Sequence, residues 1–472
     1  MQPLKFDRFF FMISLIVMHK LYKAPVIKAS PDVKVPEPRI SPLFLFFLRF
    51  LSRPYLYLFF GLAKVVLRGD TFLFDAFKRA LAGKSRCIIA FRHPNGGEPQ
   101  LLAWFIFFKL RALAAKKGVR FARKPHALFI YGYEVVRWGG LPARLIMPNV
   151  GAMPVHHAKI DTRGMGRIHR ALAEGPYPLA LAPEGQVSYT ADTVPRLEPG
   201  AIRIGFQAAQ QLQQSAEKSA QCPVEILPIS IHFRYAPWAK TAMEKILRKI
   251  EQFCGFPRTA AAGAAFAERL GRCREHILEV NESRYKIESD SSLSFEERLE
   301  RVTNAALKTA ERMLGIKSEG DYFARLYKVR QHCWDRIFLA GVESLDHITT
   351  VGRSAADLMA GEAWYISRHQ ELADFAWYFR CPVPAEGASL HIKIEYIQNL
   401  WDFANRTMGG AISGRTNIFP RRVILQAAPS INLSERLPQY RKDKKEAVAG
   451  IMQVLEKAYI DCINEVNSAD NG

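Results

Sequence analysis

The sequence predicts an α/β protein whose sheet is flanked by helices, with an N-terminal membrane-interfacial helical segment and a large helical insertion. Three observations predict this class. Short apolar runs alternate with helix-forming stretches between residues 71 and 235, long helical periodicity follows them, and strand character returns near residue 421. We therefore expect 1–70 to be a basic, aromatic-rich membrane-interfacial segment, 71–235 and 418–472 to share one α/β domain, and 236–417 to be an insertion of unknown role.

Positive charge is concentrated at the beginning of the chain. The 472 residues carry a formal net charge of +21, and the first 128 hold 23 Lys and Arg against 6 Asp and Glu. Apolar runs at 9–18, 43–51 and 55–67 lie in the same region. A basic segment of this kind gains from burial of its apolar face and from anionic headgroups, which favours membrane lipids as partners.

Each of these apolar runs is shorter than the roughly 20 residues of a spanning helix, so interfacial insertion fits better than a transmembrane span. A signal peptide is disfavoured because no small-residue cleavage site follows the first run. Nucleic acid is not expected as a partner, because the Phe and Leu density has no role in phosphate binding and no nucleic-acid motif is present.

The cysteine pattern favours a reducing compartment. Seven cysteines show no C-x-x-C or other paired metal spacing, which indicates buried free thiols in a protein that faces the cytoplasm. We expect no metal and no cofactor. The composition leaves the oligomeric state open.

The stretch from Cys87 to Leu102 is the centre of the functional argument. An apolar run, Cys87 to Phe91, ends at a Gly- and Pro-rich turn, and a helix begins near Pro99. His93 and Glu98 therefore lie at the mouth of a strand-to-helix turn, five residues apart across two glycines. A carboxylate that orients an imidazole is a general-base arrangement, although a lone loop His is more often merely solvated.

This motif, His followed after four residues by an acid, resembles the first motif of the glycerol-phosphate and lysophosphatidic acid acyltransferase family. Members of that family usually have Asp where this chain has Glu98. The resemblance implies that His93 and Glu98 are catalytic, and that the acyl donor is a thioester of coenzyme A or acyl carrier protein.

Further stretches resemble the later family motifs in the same order. Gly151 stands at the glycine of the second motif, but His157 occupies the position of its phosphate-contacting Arg. Pro183, Glu184 and Gly185 resemble the third motif, whose own Arg position here is Val187. The strand from Pro223 to Ile231 resembles the fourth motif, and 421–433 resembles the closing strand and turn of the domain.

The resemblance implies a membrane-associated O-acyltransferase at the cytoplasmic face, acting on a glycerol-phosphate or lysophospholipid acceptor. The expected acceptor-binding residues are the following: Glu184, Gly185, Gly151, His157, Lys159 and Arg163. Two alternatives stay open, because both phosphate-binding Arg positions differ from the family. The acceptor lacks a phosphate, or the chain is an inactive membrane scaffold on the same fold.

Overall fold

The structure is a computed structural model that describes residues 27–156, 161–215, 222–257, 263–379 and 381–469. Its contacts divide the chain into two compact units. The helical unit comprises Pro237–Ile418 together with the chain up to Val33, and the α/β unit comprises Lys34–Ala236 and Phe419–Gly472. The expected run at 9–18 lies outside the described residues.

Most of the strands belong to the α/β unit, and the longest of those described, Val224–Arg234, has 11 residues. In chain order they are β1 Ser30–Pro31, β2 Leu62–Arg68, β3 Arg86–Phe91, β4 Leu128–Gly132, β5 Met153–Val155, β6 Leu179–Leu181, β7 Val224–Arg234, β8 Phe338–Leu339, β9 Arg421–Ala427 and β10 Ile431–Asn432.

The helices of the first half connect these strands. They are α1 Pro42–Phe60, α2 Asp70–Leu81, α3 Glu98–Trp104, α4 Leu110–Lys116, α5 Val135–Trp138, α6 Gly140–Asn149, α7 Thr162–Ala173 and α8 Gly200–Ser215, with a π-helical turn at Phe105–Lys109. Those of the second half are α9 Ala239–Phe253, α10 Phe266–Arg284, α11 Phe295–Leu314, α12 Tyr322–Ile337, α13 Thr350–Ala373, α14 Phe375–Tyr378, α15 Leu390–Thr407, α16 Leu437–Lys442 and α17 Lys444–Ser468.

The central sheet is mostly parallel and runs in the order β2-β9-β7-β3-β6-β4-β5, with β10 paired to one end of β7. Strands β7, β3, β6, β4 and β5 are parallel to one another, whereas β9 is antiparallel to β7. This arrangement confirms the predicted α/β class with flanking helices. The closing segment 418–472 supplies β9 and β10, so two distant parts of the chain share one sheet.

Helices cover the sheet through a continuous apolar core. Ile88 of β3, Phe206 of α8, Leu433 after β10 and Leu455 of α17 are all buried in one cluster. The rings of Phe206 and Tyr440 are stacked with centroids 4.3 Å apart, which packs α8 against α16. The central strands are apolar on both faces because helices must cover both faces of a parallel sheet.

The N-terminal apolar region differs from its sequence interpretation in two respects. The runs at 43–51 and 55–67 are not separate, because one helix, α1, continues through Pro54. Gly61, with φ 62°, then ends the helix, and Leu62–Arg68 forms strand β2 beside β9. The left-handed conformation of Gly61 is the physical reason for this change from helix to strand.

The helical unit contains α9 to α15 and the short β1–β8 pair. Its helix boundaries follow ordinary capping chemistry. Ser294 and Glu297 form a capping box at the start of α11, and Gly315 ends that helix in the left-handed conformation.

Candidate functional site

The His93 turn lies at the carboxyl end of the central strand β3. The strand ends at Phe91, Gly96 has a φ of 100°, and α3 begins at Glu98 with Pro99 in its first turn. Only glycine adopts such a φ at little cost, so Gly96 allows the chain to reverse within this short turn. This reversal places the Glu98 side chain next to the His93 side chain.

His93 and Glu98 are hydrogen bonded. The distance from His93 Nδ1 to Glu98 Oε2 is 2.8 Å, and the side chains are 15% and 0% exposed respectively. The same carboxylate oxygen accepts the backbone N–H of Gly96 at 2.7 Å. Glu98 is therefore fixed by the turn that it closes, and the imidazole retains an accessible edge.

This geometry selects one tautomer of His93. An ionised carboxylate only accepts hydrogen bonds, so Nδ1 carries the proton and Nε2 of the neutral ring keeps a lone pair. The other oxygen, Glu98 Oε1, is buried and has no hydrogen-bond partner among the described residues. The pair is chemically suited to remove a proton through Nε2.

A buried ion pair supports the backbone beneath His93. The Arg92 guanidinium donates from Nε to Glu184 Oε1, and both side chains are completely buried. Glu184 Oε2 accepts the backbone N–H of His93 at 3.2 Å. Glu184 therefore fixes the main chain at His93, and both of its carboxylate oxygens bind protein groups.

Arg92 has further contacts on two sides. Its Nη2 donates to the carbonyl oxygens of Thr190 and Thr193 at 2.8 Å each, and its guanidinium lies 5.6 Å from the ring centroid of Tyr459. Burial raises the pKa of Tyr459 well above its ordinary value, and the nearby Glu184 adds to this effect. The phenol is therefore neutral, and its hydroxyl donates to the Ala90 carbonyl of β3.

The loop after Glu184 is fixed by a second polar chain. His232 Nδ1 lies 3.2 Å from Asp192 Oδ1, and His232 Nε2 lies 2.9 Å from Ser230 Oγ. Burial lowers the pKa of His232, although its hydrogen bond to the Asp192 carboxylate opposes this change. Ser230 and His232 are fully buried, so this Ser-His-Asp sequence supports the loop and does not present a nucleophile to substrate.

Arg421, the first residue of β9, connects the His93 turn to α1. It is 2% exposed, and it donates to Asn95 Oδ1 at 2.6 Å and to the Phe60 carbonyl at 3.0 Å. A Cβ added to Gly97 would lie 2.4 Å from Phe60 Cδ1, so the ring at the end of α1 packs directly on the turn. The apolar helix and the His93 turn are therefore in physical contact.

The remaining expected site residues are dispersed. Gly185, with φ 73°, turns the chain after Glu184, whereas Gly151 packs on Leu128 at the amino end of β4, away from the carboxyl ends of the strands. Arg163 is 84% exposed and pairs with Glu37 at 2.8 Å. His157 and Lys159 lie outside the described residues.

Two aromatic groups follow the carboxyl ends of neighbouring strands, at the same edge of the sheet as His93. Tyr133 follows β4, His156 follows β5, and their rings are stacked with centroids 4.3 Å apart. Across the described ranges, no group of three or more His, Cys, Asp or Glu side chains is placed to hold a metal ion.

Sequence reasoning missed Arg92, Arg421 and Asn95. Arg92 had a usable signal, since a cation that directly follows an apolar central strand requires a buried counter-charge. Arg421 had none, because its partners lie more than 300 positions away in the sequence.

A comparison of the sequence with protein-family models and with curated proteins finds no match.

Proposed function

We propose that the chain is a membrane-associated O-acyltransferase. It moves an acyl chain from acyl-coenzyme A or acyl carrier protein to a hydroxyl of a glycerol-phosphate or lysophospholipid acceptor. The observation that carries the proposal is the 2.8 Å contact between His93 Nδ1 and the buried Glu98 carboxylate, at the carboxyl end of a central parallel strand. Ligands of open α/β sheets bind at this edge.

The reaction follows from the tautomer. His93 Nε2 removes the acceptor hydroxyl proton while the oxygen attacks the thioester carbonyl, which forms a tetrahedral intermediate. The intermediate expels the thiolate as the new ester forms, and the imidazolium returns the proton to that sulfur. Glu98 stabilises the imidazolium while it exists, because its Oε2 already accepts from Nδ1.

The surrounding residues fix the position of the His93 turn. Glu184 holds the backbone of His93, and Arg92 holds Glu184. The N–H of Gly96 donates to Glu98, so it is not available as an oxyanion donor. The Asn95 side chain faces Arg421 and fixes the turn on the side of α1.

Membrane association supplies the acceptor. Helix α1 is long and apolar enough by length and composition to cross a membrane, and only 6% of its most apolar window is buried. Its exposed apolar surface, with the net charge of +21, suits a lipid surface that carries anionic headgroups. The seven free cysteines are consistent with the cytoplasmic face.

One observation favours an acceptor without phosphate as the second candidate. Arg163 and Arg167, the first two described cations after the second motif, both pair with Glu37, at 2.8 and 2.6 Å. A phosphate would have to compete with this carboxylate. Acyl transfer to an unphosphorylated lipid alcohol requires no such competition.

The test is a product analysis with the purified full-length chain. Acyl-coenzyme A or acyl carrier protein is supplied with lysophosphatidic acid, glycerol 3-phosphate or monoacylglycerol, and lipids are measured by mass spectrometry. The proposal requires an acylated product with wild type and at least a hundredfold less with Glu98→Gln, which keeps the shape and removes the charge. Equal turnover by the two proteins contradicts it, and the acceptor that is acylated decides between the two candidates.

A further inference from the structure

A second helix of the α/β unit has an exposed apolar face beside α1. Leu141, Leu145 and Ile146 of α6 are 66%, 52% and 38% exposed. Leu141 and Leu145 lie four residues apart, so they share one face of the helix, and Ile146 directly follows Leu145. A contiguous exposed apolar patch on a protein surface marks an interaction site.

The start of α1 is fixed to the end of α6. The N–H of Arg39 donates to the Pro148 carbonyl at 2.8 Å, and the N–H of Ser41 donates to the Asn149 carbonyl at 2.9 Å. Ile40 forms an antiparallel bridge with Val150. Because Pro42 begins α1, the start of α1 lies next to the end of α6.

The other end of α1 is fixed as firmly. Gly61 leads directly into β2 of the central sheet, Phe60 packs on Gly97, and the Phe60 carbonyl accepts from Arg421. In the middle of the helix, the Arg53 guanidinium lies 5.7 Å from the Trp104 ring centroid of α3. The 19 residues of α1 extend about 28 Å, and both ends contact the same folded unit.

These contacts exclude a span through the bilayer. A helix that crosses the hydrocarbon would place its two ends in water on opposite sides, whereas both ends of α1 are hydrogen bonded to one α/β unit. Strands and loops of that unit cannot enter the hydrocarbon, because their polar backbone groups would lose water. Helix α1 therefore lies along the surface of the unit.

We propose that α1 and α6 together form a single-leaflet membrane-binding face, and that its occupant is the surface of a bilayer with anionic lipid. The proposal rests on the proposed function and adds α6 as a second insertion element. Charge complementarity supports a lipid occupant, since Arg49 of α1 is exposed and the two helices contain no Asp or Glu. Large apolar side chains on α1 are more than half exposed: Leu43, Phe46, Phe47, Phe50, Leu51, Tyr57, Leu58 and Phe59.

The arrangement has a consequence for the site. The end of α1 packs on the His93 turn, so a bilayer bound along α1 reaches the edge of the sheet at which His93 lies. An acceptor lipid can then present its headgroup hydroxyl to His93 while its acyl chain stays in the leaflet.

The experiment is vesicle co-sedimentation of the full-length chain, with phosphatidylcholine vesicles that contain or lack phosphatidylglycerol. Three double variants are compared with wild type: Leu141→Glu/Leu145→Glu on α6, Phe46→Glu/Phe50→Glu on α1, and Val454→Glu/Ile460→Glu as the control. The control residues are exposed apolar side chains of α17, outside the proposed face. Circular dichroism verifies that each variant is folded, as expected for exposed positions.

We expect wild type and the α17 control to bind anionic vesicles equally, and the α6 and α1 variants each to bind at least tenfold more weakly. If the α1 variant loses binding and the α6 variant does not, the inference about α6 is overturned and membrane association survives. If wild type itself does not bind, membrane association fails as well. If the α6 variant keeps its vesicle affinity but converts a wild-type dimer to a monomer in sedimentation velocity, α6 is an interface between copies and the inference is overturned.

Discussion

The substitution Glu184→Gln should destabilise the α/β unit far more than an ordinary loss of a surface charge. Arg92 and Glu184 are both completely buried, and removing one partner of a buried ion pair typically costs about 3 to 5 kcal/mol. Arg92 keeps two carbonyl acceptors after the change, so we expect the lower part of that range. A Gln amide also cannot accept from both Arg92 and the His93 N–H, because one of its two polar atoms is a donor.

Differential scanning calorimetry measures this effect. A unit of roughly 250 residues loses about 2 to 4 °C of transition temperature per kcal/mol, so a loss near 3 kcal/mol predicts a shift of about 6 to 12 °C. The matched control is Asp461→Asn, which breaks the exposed pair between Lys457 and Asp461 one helical turn apart and should cost less than about 1 kcal/mol. Equal decreases in transition temperature for the two variants would refute the reasoning that the buried Glu184 stabilises the His93 turn.

Two further predictions concern the rest of the α/β unit. Arg421→Met removes the donors to the Asn95 side chain and the Phe60 carbonyl, so kcat should fall about tenfold or more with little change in KM. Asn95→Ala should reproduce this fall in kcat. Full activity in both variants would show that Arg421 of β9 does not position the His93 turn for catalysis. Burial lowers the pKa of His126 from 6.5 to about 4, so between these values the unfolded chain binds a proton that the folded chain does not. The free energy of unfolding should therefore decrease by about 3 kcal/mol as the pH falls through that window, and His126→Gln should remove this part of the slope in denaturant titrations.

The sequence was most informative where local chemistry determines structure. The strand before His93, the helix start at Pro99 and the turn between them follow from apolar character and from Gly and Pro, and the structure has β3 and α3 there. The proximity of His93 and Glu98 follows from the same turn. These features depend on residues that are close in the sequence.

Features that depend on distant residues were harder to predict. The end of α1 at Gly61 was missed because apolar character continues without a break from Tyr55 to Ala63, and only pairing with β9 makes Leu62–Arg68 a strand. The sequence assigns Glu184 to the acceptor site, and the residue type alone does not reveal its buried ion pair with Arg92. The ion pair between Arg163 and Glu37 could not be predicted either, because the two residues lie 126 positions apart in the sequence.

The exposed apolar face of α1 and α6 also could not be predicted without the three-dimensional arrangement. Hydropathy identifies α1 as apolar, but it does not show that both ends of the helix are hydrogen bonded to one folded unit. That arrangement, and not the number of apolar residues, separates a helix that lies in one leaflet from a helix that crosses the bilayer.

The central claim, that His93 is the general base, is tested most directly by acyl transfer in His93→Ala beside His347→Ala. His347 is exposed in the helical unit, so its substitution controls for the loss of an imidazole elsewhere in the chain. With thioester and acceptor saturating, we predict that His93→Ala loses at least 10²- to 10⁴-fold in kcat while it keeps its fold and its vesicle binding, and that His347→Ala retains wild-type turnover. Wild-type turnover by a folded His93→Ala protein would contradict the account.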